Sequence, residues 1–154
     1  MGIHDGHREK MRRRFLETGL EGFADHEALE LLLYYAIPQG DVNGLAHELV
    51  ERFGSLAGVL DAAEEELCRV PGVGQHTAVL LKLIPAAGAR YLQSRADLGE
   101  PVRRTEDAYA LLEPYFFGAR NEMIYLLALD GKNKPLGVRK VAEGSICAAN
   151  INLR

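Results

Sequence analysis

The chain has 154 residues, of which 47% are hydrophobic and 26% charged. This length and balance fit one ordinary globular domain or two small ones, and they exclude a disordered or fibrous chain. The formal net charge of −4 provides no general attraction to nucleic acid, so DNA binding would have to depend on a local surface.

Other compositional features favour a cytoplasmic protein. The N-terminus is charged and lacks the apolar segment of a secretion signal, and no apolar run approaches the roughly 20 residues of a membrane span. Cys68 and Cys147 belong to no CxxC or His/Cys cluster, so no metal site is predicted from them. We expect both cysteines to pack as small apolar residues in a reducing compartment.

Short polar residues mark the expected starts of several helices. Such a side chain, placed just before an apolar repeat, accepts hydrogen bonds from the unpaired amides of the first turn. The candidates for this role are Asp25, Asp41, Ser55 and Thr105. After Asp25 and Asp41, apolar residues recur at three- and four-residue steps. This pattern predicts a packed helical bundle, and its last helix is expected over about 75–92.

The second part of the sequence has a different pattern of residues. Residues 93–104 are interpreted as a polar linker. A helix is expected to follow this linker from Thr105 through Glu113, and Pro114 is expected to limit it. Strand-like segments at 123–129 and 136–142 flank a turn-forming stretch, which indicates a β-hairpin. The sequence therefore predicts a mainly helical domain over 1–92, followed by an incomplete α+β region over 105–154.

The most specific local pattern lies at residues 67–81, Leu-Cys-Arg-Val-Pro-Gly-Val-Gly-Gln-His-Thr-Ala-Val-Leu-Leu. It resembles the helix-hairpin-helix motif of DNA repair and replication proteins. Gly72 and Gly74 would permit positive φ and the close approach of a phosphate. Val73 is expected to point between the two helices, and the small Ala78 lets them approach. The amides of both glycines and of the next helix start would then face one phosphate and read no base.

Several cations could add to this contact. Related motifs often carry Lys or Arg directly after the second glycine, where this chain has Gln75, so the turn alone should bind phosphate weakly. The basic opening at 7–14 could compensate. The residues predicted to contribute to DNA binding are Gly72, Val73, Gly74, Gln75, His76, Thr77, Lys82, Arg12, Arg13 and Arg14. The alternatives are a helix–helix turn without a ligand and a basic helix end that is simply solvated.

A wider set of segments resembles the RadC family (UPF0758-type) along essentially the whole chain. The segments that carry the resemblance are Gly6-His7-Arg8, Phe23, His26-Glu27, Leu29 to Leu33, Gly40-Asp41, Ala46, Phe53 to Leu56, the 67–81 pattern, Leu126 to Asp130, Lys132-Asn133 and Gly144-Ser145. The resemblance implies a helix-hairpin-helix domain in a context of DNA repair, followed by a JAMM/MPN-like metallopeptidase domain.

In that family the second domain holds zinc through a His-x-His pair and an Asp, with a glutamate as general base on the bound water. The resemblance places Glu122 in the glutamate's role; the alternative is an exposed carboxylate at a strand start. No histidine follows His76, so this chain is expected to hold no zinc and to be cut short before the ligands. Glu143 is interpreted as structural.

Three functions therefore stay open from the sequence. The leading one is sequence-independent binding of the DNA backbone. The others are a zinc-dependent JAMM-like peptidase that is complete only in a longer chain, and a protein-interaction module. Because an isolated hairpin is marginally stable in water, residues 115–154 are expected to pack poorly or to self-associate through the strands at 123–142.

Overall fold

The computed structural model describes residues 3–95 and 99–144. The helices and strands in these ranges are α1 (Ile3–Thr18), α2 (Asp25–Ala36), α3 (Asn43–Phe53), α4 (Leu56–Asp61), α5 (Glu64–Cys68), α6 (Gln75–Arg95), α7 (Thr105–Phe116), β1 (Glu122–Leu129) and β2 (Pro135–Gly144). Two compact units divide the chain, Met1–Ile84 and Pro85–Arg154. The expected mainly helical architecture with a small antiparallel sheet is confirmed.

The first unit is organised around a continuous hydrophobic core. Its fully buried large side chains are Leu29, Leu33, Val42, Leu49, Val59, Leu67, Val70 and Leu81. Leu29 and Leu33 lie one turn apart on α2, which makes this helix the centre of the core, as its apolar sequence predicts. Removing one such leucine side chain from water contributes about 1.5–3 kcal/mol, so this core supports the unit by itself.

Three of the four predicted N-caps are displaced by one residue. Helix α2 is capped by Ala24, and Asp25 is its first residue, so the prediction for Asp25 is wrong. The Glu27 carboxylate accepts the Ala24 N–H at 2.9 Å, which leaves the Asp25 carboxylate free to accept the Leu56 N–H of α4 at 2.8 Å. Likewise, Arg104 and not Thr105 is the N-cap of α7.

The prediction is correct for Ser55, and Asp41 is displaced in the opposite direction. Ser55 is the N-cap of α4, and its hydroxyl accepts the Gly58 N–H at 3.0 Å. Asp41 stands one residue before the N-cap of α3, and its carboxylate accepts the Asn43 N–H at 2.9 Å. The polar pattern therefore locates helix starts well, although the exact cap depends on which amide a carboxylate can reach.

Pro114 does not end α7, which extends to Phe116. The missing proline N–H falls in the last turn, where it removes one hydrogen bond and interrupts no long helix. Tyr115 and Phe116 also pack against the Tyr125 ring of β1, with ring centroids 5.4 and 5.1 Å apart. Helix α6 likewise runs past its predicted end to Arg95.

The predicted hairpin is confirmed in the second unit. β1 and β2 pair antiparallel, from Glu122 opposite Gly144 to Leu129 opposite Pro135. Asp130 organises the turn, because its carboxylate accepts the N–H groups of Lys132 and Lys134 at 2.8 Å each. These bonds favour the charged carboxylate and hold the pKa of Asp130 below its ordinary value.

The second unit buries little of its apolar surface in the described residues. Helix α7 has no buried residue, and Pro135 is the one buried residue of the range 99–144. Large apolar side chains such as Leu126 and Leu136 are 56% and 69% exposed. This matches the expectation of weak packing for this region. The predictions that fall on 145–154, including Cys147, lie outside the described residues.

Candidate functional site

A tight turn joins α5 to α6 at the position of the most specific sequence pattern. The Val73 N–H donates to the Val70 carbonyl at 3.0 Å. Pro71 and Gly72 stand between them, and Gly72 has a φ of 90°. This is the arrangement of a type II turn, in which proline presets the second position and the third requires positive φ. Val70 and Val73 are buried, so the turn is fixed to the core on both sides.

The two glycines of the turn have different roles. Positive φ was expected for both, but only Gly72 adopts it, so that part of the interpretation is wrong for Gly74. The Gly74 carbonyl accepts the Ala78 N–H at 3.0 Å, which places Gly74 at the N-cap of α6. A Cβ built on Gly74 meets nothing within 4 Å, so the space beside this amide is open.

The start of α6 presents unpaired amides. Gln75 and His76 are exposed, and the first turn of the helix contains no acidic residue. Within the described ranges, the N–H groups of Gly74, Gln75, His76 and Thr77 have no hydrogen-bond acceptor. Unpaired N–H groups and the positive end of the helix dipole together favour an anion at this point.

The starts of α2 to α5 and of α7 are different, because each is occupied by a side chain of the protein itself. First-turn amides of α3 and α4 are accepted by Asp41, Asp25 and Ser55. At α2, α5 and α7 the carboxylates of Glu27, Glu66 and Asp107 lie in the first turn and accept amides at or just before the N-cap. The carboxylates of Glu27 and Asp107 have pKa values below their ordinary range, chiefly because of these backbone N–H bonds. Helix α6 therefore stands apart from its neighbours.

Lys82, a predicted phosphate contact, is engaged inside the first unit. Its ammonium donates to the carbonyls of Leu60, Asp61 and Ala62 at 2.8, 3.2 and 2.9 Å. These are carbonyls at the end of α4, which attract a cation through the negative end of the helix dipole. The three N–H donors of the ammonium are thus satisfied by three carbonyls, and Lys82 caps the C-terminal end of α4.

The basic opening is also partly used by the fold. Arg8 is 7% exposed, and its guanidinium donates to the carbonyls of Ile37, Pro38 and Gly40 beyond α2. Arg14 pairs with Glu27 at 3.0 Å and donates to the Gly22 carbonyl. These two arginines hold α1 against α2.

The side chains of Arg12 and Arg13 are less engaged by the fold than those of Arg8 and Arg14. Arg12 lies 3.8 Å from Glu9 and over the exposed Tyr35 ring, 5.8 Å from its centroid. Arg13 is exposed and makes no ion pair in the described part of the chain. Of the three arginines predicted to contact phosphate, Arg13 is thus the one with no competing partner.

One exposed cation beside the turn was missed by the sequence interpretation. Arg69 follows α5 as its C-cap, lies one residue before Val70, and is exposed without an ion-pair partner among the described residues. Its position three residues before Gly72 was visible in the sequence. Related motifs carry such cations after the second glycine, and that comparison favoured Lys82 instead.

The carboxylates singled out in the second unit are exposed and lie at the open end of the hairpin. Glu122 is the first residue of β1 and pairs in register with Gly144. Glu143 accepts hydrogen bonds from Lys140 at 2.6 Å and from Asn121 at 3.2 Å. Lys140 accordingly lowers the pKa of Glu143, and the residue has a structural role on the surface.

Cys68 was expected to be packed but is exposed at the end of α5, because Leu67 occupies the inward position there. The described residues contain no group of three or more His, Cys, Asp or Glu side chains placed to hold a metal ion. Among the helices of those residues, none is both long and apolar enough to cross a membrane.

The N-terminal half of the chain, a helical bundle with an amide-lined turn before α6, has recognisable relatives. Residues 5–79 match the family model described as UPF0758 N-terminal. A UPF0758 protein of Fusobacterium nucleatum subsp. nucleatum is 42% identical over 81 residues, which make up 53% of this chain and 35% of that relative. No solved structure gives a significant match. The N-terminal part of the chain is thus similar to UPF0758 proteins.

Proposed function

We propose that the first unit binds the sugar–phosphate backbone of DNA, without base specificity, through the segment Arg69–Thr77, called here the amide turn. The observation that carries this proposal is the contrast among helix starts. Each of α2 to α5 and α7 has a carboxylate or hydroxyl of the protein itself that accepts an amide at the helix start, whereas α6 has no such acceptor among the described residues and no acidic residue in its first turn. The RadC-type setting in DNA repair is part of the proposal and rests on the resemblance.

The chemistry of the amide turn suits a phosphate oxygen. Consecutive N–H groups at a helix start donate to one anion, and the helix dipole adds to the attraction. The exposed Arg69 supplies a full positive charge beside these dipoles. Contacts of this kind fix the protein on the backbone and carry no sequence information.

The number of available cations limits the affinity. Arg8, Arg14 and Lys82 bind acceptors within the protein, which leaves Arg69 and the exposed part of α1 for phosphate. Since each phosphate neutralised on duplex DNA contributes about 0.9 to the log–log salt slope, we expect a shallow slope of about 1–3 and weak binding.

The deciding experiment puts an acidic N-cap into α6. Gly74→Asp adds a carboxylate where the phosphate would bind, and Gly74→Asn adds a neutral side chain of nearly the same shape. Both substitutions fit, because the space beside Gly74 is open. Asp and Asn are also favoured N-caps, so neither should weaken the helix. Fluorescence anisotropy with the full chain and a labelled duplex measures the affinity, and circular dichroism confirms the fold.

We expect Gly74→Asp to bind DNA at least about tenfold more weakly than wild type, which corresponds to about 1.4 kcal/mol. Gly74→Asn should lose less affinity than Gly74→Asp, because its amide oxygen can accept the same N–H groups but carries no charge that repels a phosphate. Wild-type affinity in Gly74→Asp, or no binding by the wild type at low salt, would remove the amide turn from DNA binding and favour a protein-interaction role.

Self-association through the hairpin is a second proposed property, favoured by the exposure of its apolar side chains. Leu126, Leu136 and Val141 are 56%, 69% and 41% exposed, and in the described sheet each strand has one neighbour. Sedimentation velocity over a range of concentrations should show association that Leu126→Lys reduces. A monomer at all concentrations would contradict it.

The peptidase alternative concerns a longer chain. Glu122 is exposed at the start of β1, and a zinc site of the implied type needs histidine ligands, which do not occur after His76. A continuous reading frame that encodes a His-x-His motif downstream would support this alternative, and its absence from the gene would exclude it.

A further inference from the structure

An exposed tyrosine near the end of α2 lies beside the arginines of α1. Tyr35 is 67% exposed, and the guanidinium carbon of Arg12 lies 5.8 Å from the centre of its ring. The preceding residue, Tyr34, is 4% exposed and belongs to the core. The core therefore uses one of the two adjacent tyrosines, and most of the Tyr35 ring is open to a ligand.

Apolar side chains extend this surface along α1. Phe15 and Leu16 follow Arg12 by three and four residues, so the three side chains project from one face of the helix. Phe15 is 41% exposed and Leu16 is 83% exposed. Clustered large apolar side chains with polar neighbours are typical of an interaction surface. The α1–α2 surface is defined here by the residues Arg12, Arg13, Phe15, Leu16 and Tyr35.

The charges of this part of α1 favour a polyanion as the ligand. Lys10 and Arg13 are exposed and make no ion pair in the described part of the chain. Arg12 lies 3.8 Å from Glu9, and Glu17 is the other exposed carboxylate of the helix. Cations thus outnumber carboxylates here, in a chain whose net charge is −4, and this balance suits a phosphate chain better than an acidic or neutral peptide.

We propose that the α1–α2 surface binds an unpaired strand of DNA, with a base stacked on the Tyr35 ring and neighbouring phosphates paired with Arg12 and Arg13. Proteins hold single strands by aromatic rings next to cations, because every base has a π-face that can stack. The bases of a duplex are stacked on one another, so Tyr35 selects the unpaired strand. The choice of DNA rests on the proposed function, whereas the stacking contact does not involve the amide turn.

Tyr109 on α7 provides a matched comparison. It is 70% exposed, so its ring is as open as that of Tyr35. However, the exposed carboxylates of Glu106 and Glu113 lie three residues before it and four residues after it, on the same face of α7. Their negative charge opposes a phosphate chain. Exposure of a ring is therefore not sufficient, and we expect no strand to bind at Tyr109.

The test measures the fluorescence anisotropy of two labelled strands with the full chain at low salt. One strand is an oligothymidylate, and the other is an abasic strand of equal length, which has the same phosphates and no bases. The wild type should bind the oligothymidylate at least about fivefold more tightly. Tyr35→Leu should lose this preference. Tyr35→Phe, which keeps an aromatic ring, should retain it, and Tyr109→Leu should leave it unchanged.

The cations of the surface are tested with the same two strands. Arg13→Gln should weaken the binding of both strands alike, because it removes a phosphate contact and no stacking contact. It should lower the slope of log affinity against log salt by about 0.7 for a single strand. An unchanged slope would remove Arg13 from the surface.

The proposal is overturned if the wild type binds neither strand, if it binds both with equal affinity, or if Tyr35→Leu keeps the preference. Circular dichroism shows whether Tyr35→Leu is folded, and its remaining affinity for the abasic strand shows whether the phosphate contacts are intact. Failure of the proposed function gives a different result, namely a duplex affinity that does not respond to Gly74→Asp while the Tyr35-dependent preference for bases persists.

Discussion

The starts of α4 and α6 form an instructive pair, because each follows a short connection that contains a glycine with positive φ. Gly54 has a φ of 86° and Gly72 a φ of 90°. At α4, Asp25 and Ser55 accept the first amides; at α6, no acidic side chain lies in the first turn. Similar backbone geometry thus gives one helix start satisfied from within and one that can receive an outside anion.

The largest expected effect concerns the residue that joins these two regions. Lys82 extends from α6 to the last carbonyls of α4, so Lys82→Met should lower the free energy of unfolding by about 1.5–3 kcal/mol. Urea denaturation measures this loss. DNA affinity, measured where the variant is folded, should be nearly unchanged. A variant with full stability and weaker DNA binding would instead make Lys82 a phosphate contact.

The glycine of the amide turn gives the next largest effect. A Cβ at Gly72 would lie at ordinary contact distances of 3.6 and 3.7 Å from Leu45, so backbone strain and not collision decides the outcome. Gly72→Ala should cost about 1–2 kcal/mol. The matched control is Gly44→Ala in the first turn of α3, which should be neutral or stabilising. Similar denaturation midpoints for the two variants would contradict the role of positive φ.

The occupied helix start gives a smaller effect. Ser55→Ala removes the hydroxyl that accepts the Gly58 N–H and should reduce the free energy of unfolding by about 1 kcal/mol. Because the α4 start is already filled, DNA binding should not respond. Anisotropy measurements that show weaker DNA binding by this variant would place a phosphate at α4 as well and would abolish the contrast with α6.

The charged start of α2 should make stability depend on pH. The pKa of Glu27 lies below its ordinary value of 4.5, first because of the Ala24 N–H and then because of Arg14. A carboxylate of this kind stabilises the folded state above the pKa of the unfolded chain, and the contribution is lost as the pH falls through the lower folded value. Glu27→Gln should cost under about 1 kcal/mol at pH 7.

That cost should shrink below pH 4.5 and disappear in strong acid, as measured by urea denaturation across this range. A difference between wild type and Glu27→Gln that stays constant with pH would show that packing, and not the charge, accounts for it.

The smallest effect on stability is expected for the exposed cation of the amide turn. Arg69→Gln should change the free energy of unfolding by less than about 0.5 kcal/mol. It should lower the slope of log affinity against log salt by about 0.9 for duplex DNA. An unchanged salt slope would show that Arg69 does not neutralise a phosphate.

The sequence by itself determined most of the secondary structure. The apolar repeat and the polar caps located α2 to α4, α6 and α7, and the strand-like segments with a turn between them located the hairpin to within about two residues. The pattern at 67–81 also marked Gly72 and Gly74 for positive φ, and Gly72 adopts it. These features are local, since they depend on residues a few positions apart, and for that reason the sequence expresses them directly.

Only the tertiary structure decided which polar groups remain available. Asp25 reaches α4, Lys82 closes α4, and Arg8 binds carbonyls beyond α2, and each of these contacts spans about 20–30 residues along the chain. No local pattern marks them, because a charged side chain that is used internally looks the same in sequence as one that faces solvent. The proximity of Arg12 to Tyr35 arises in the same way, from the packing of α1 against α2.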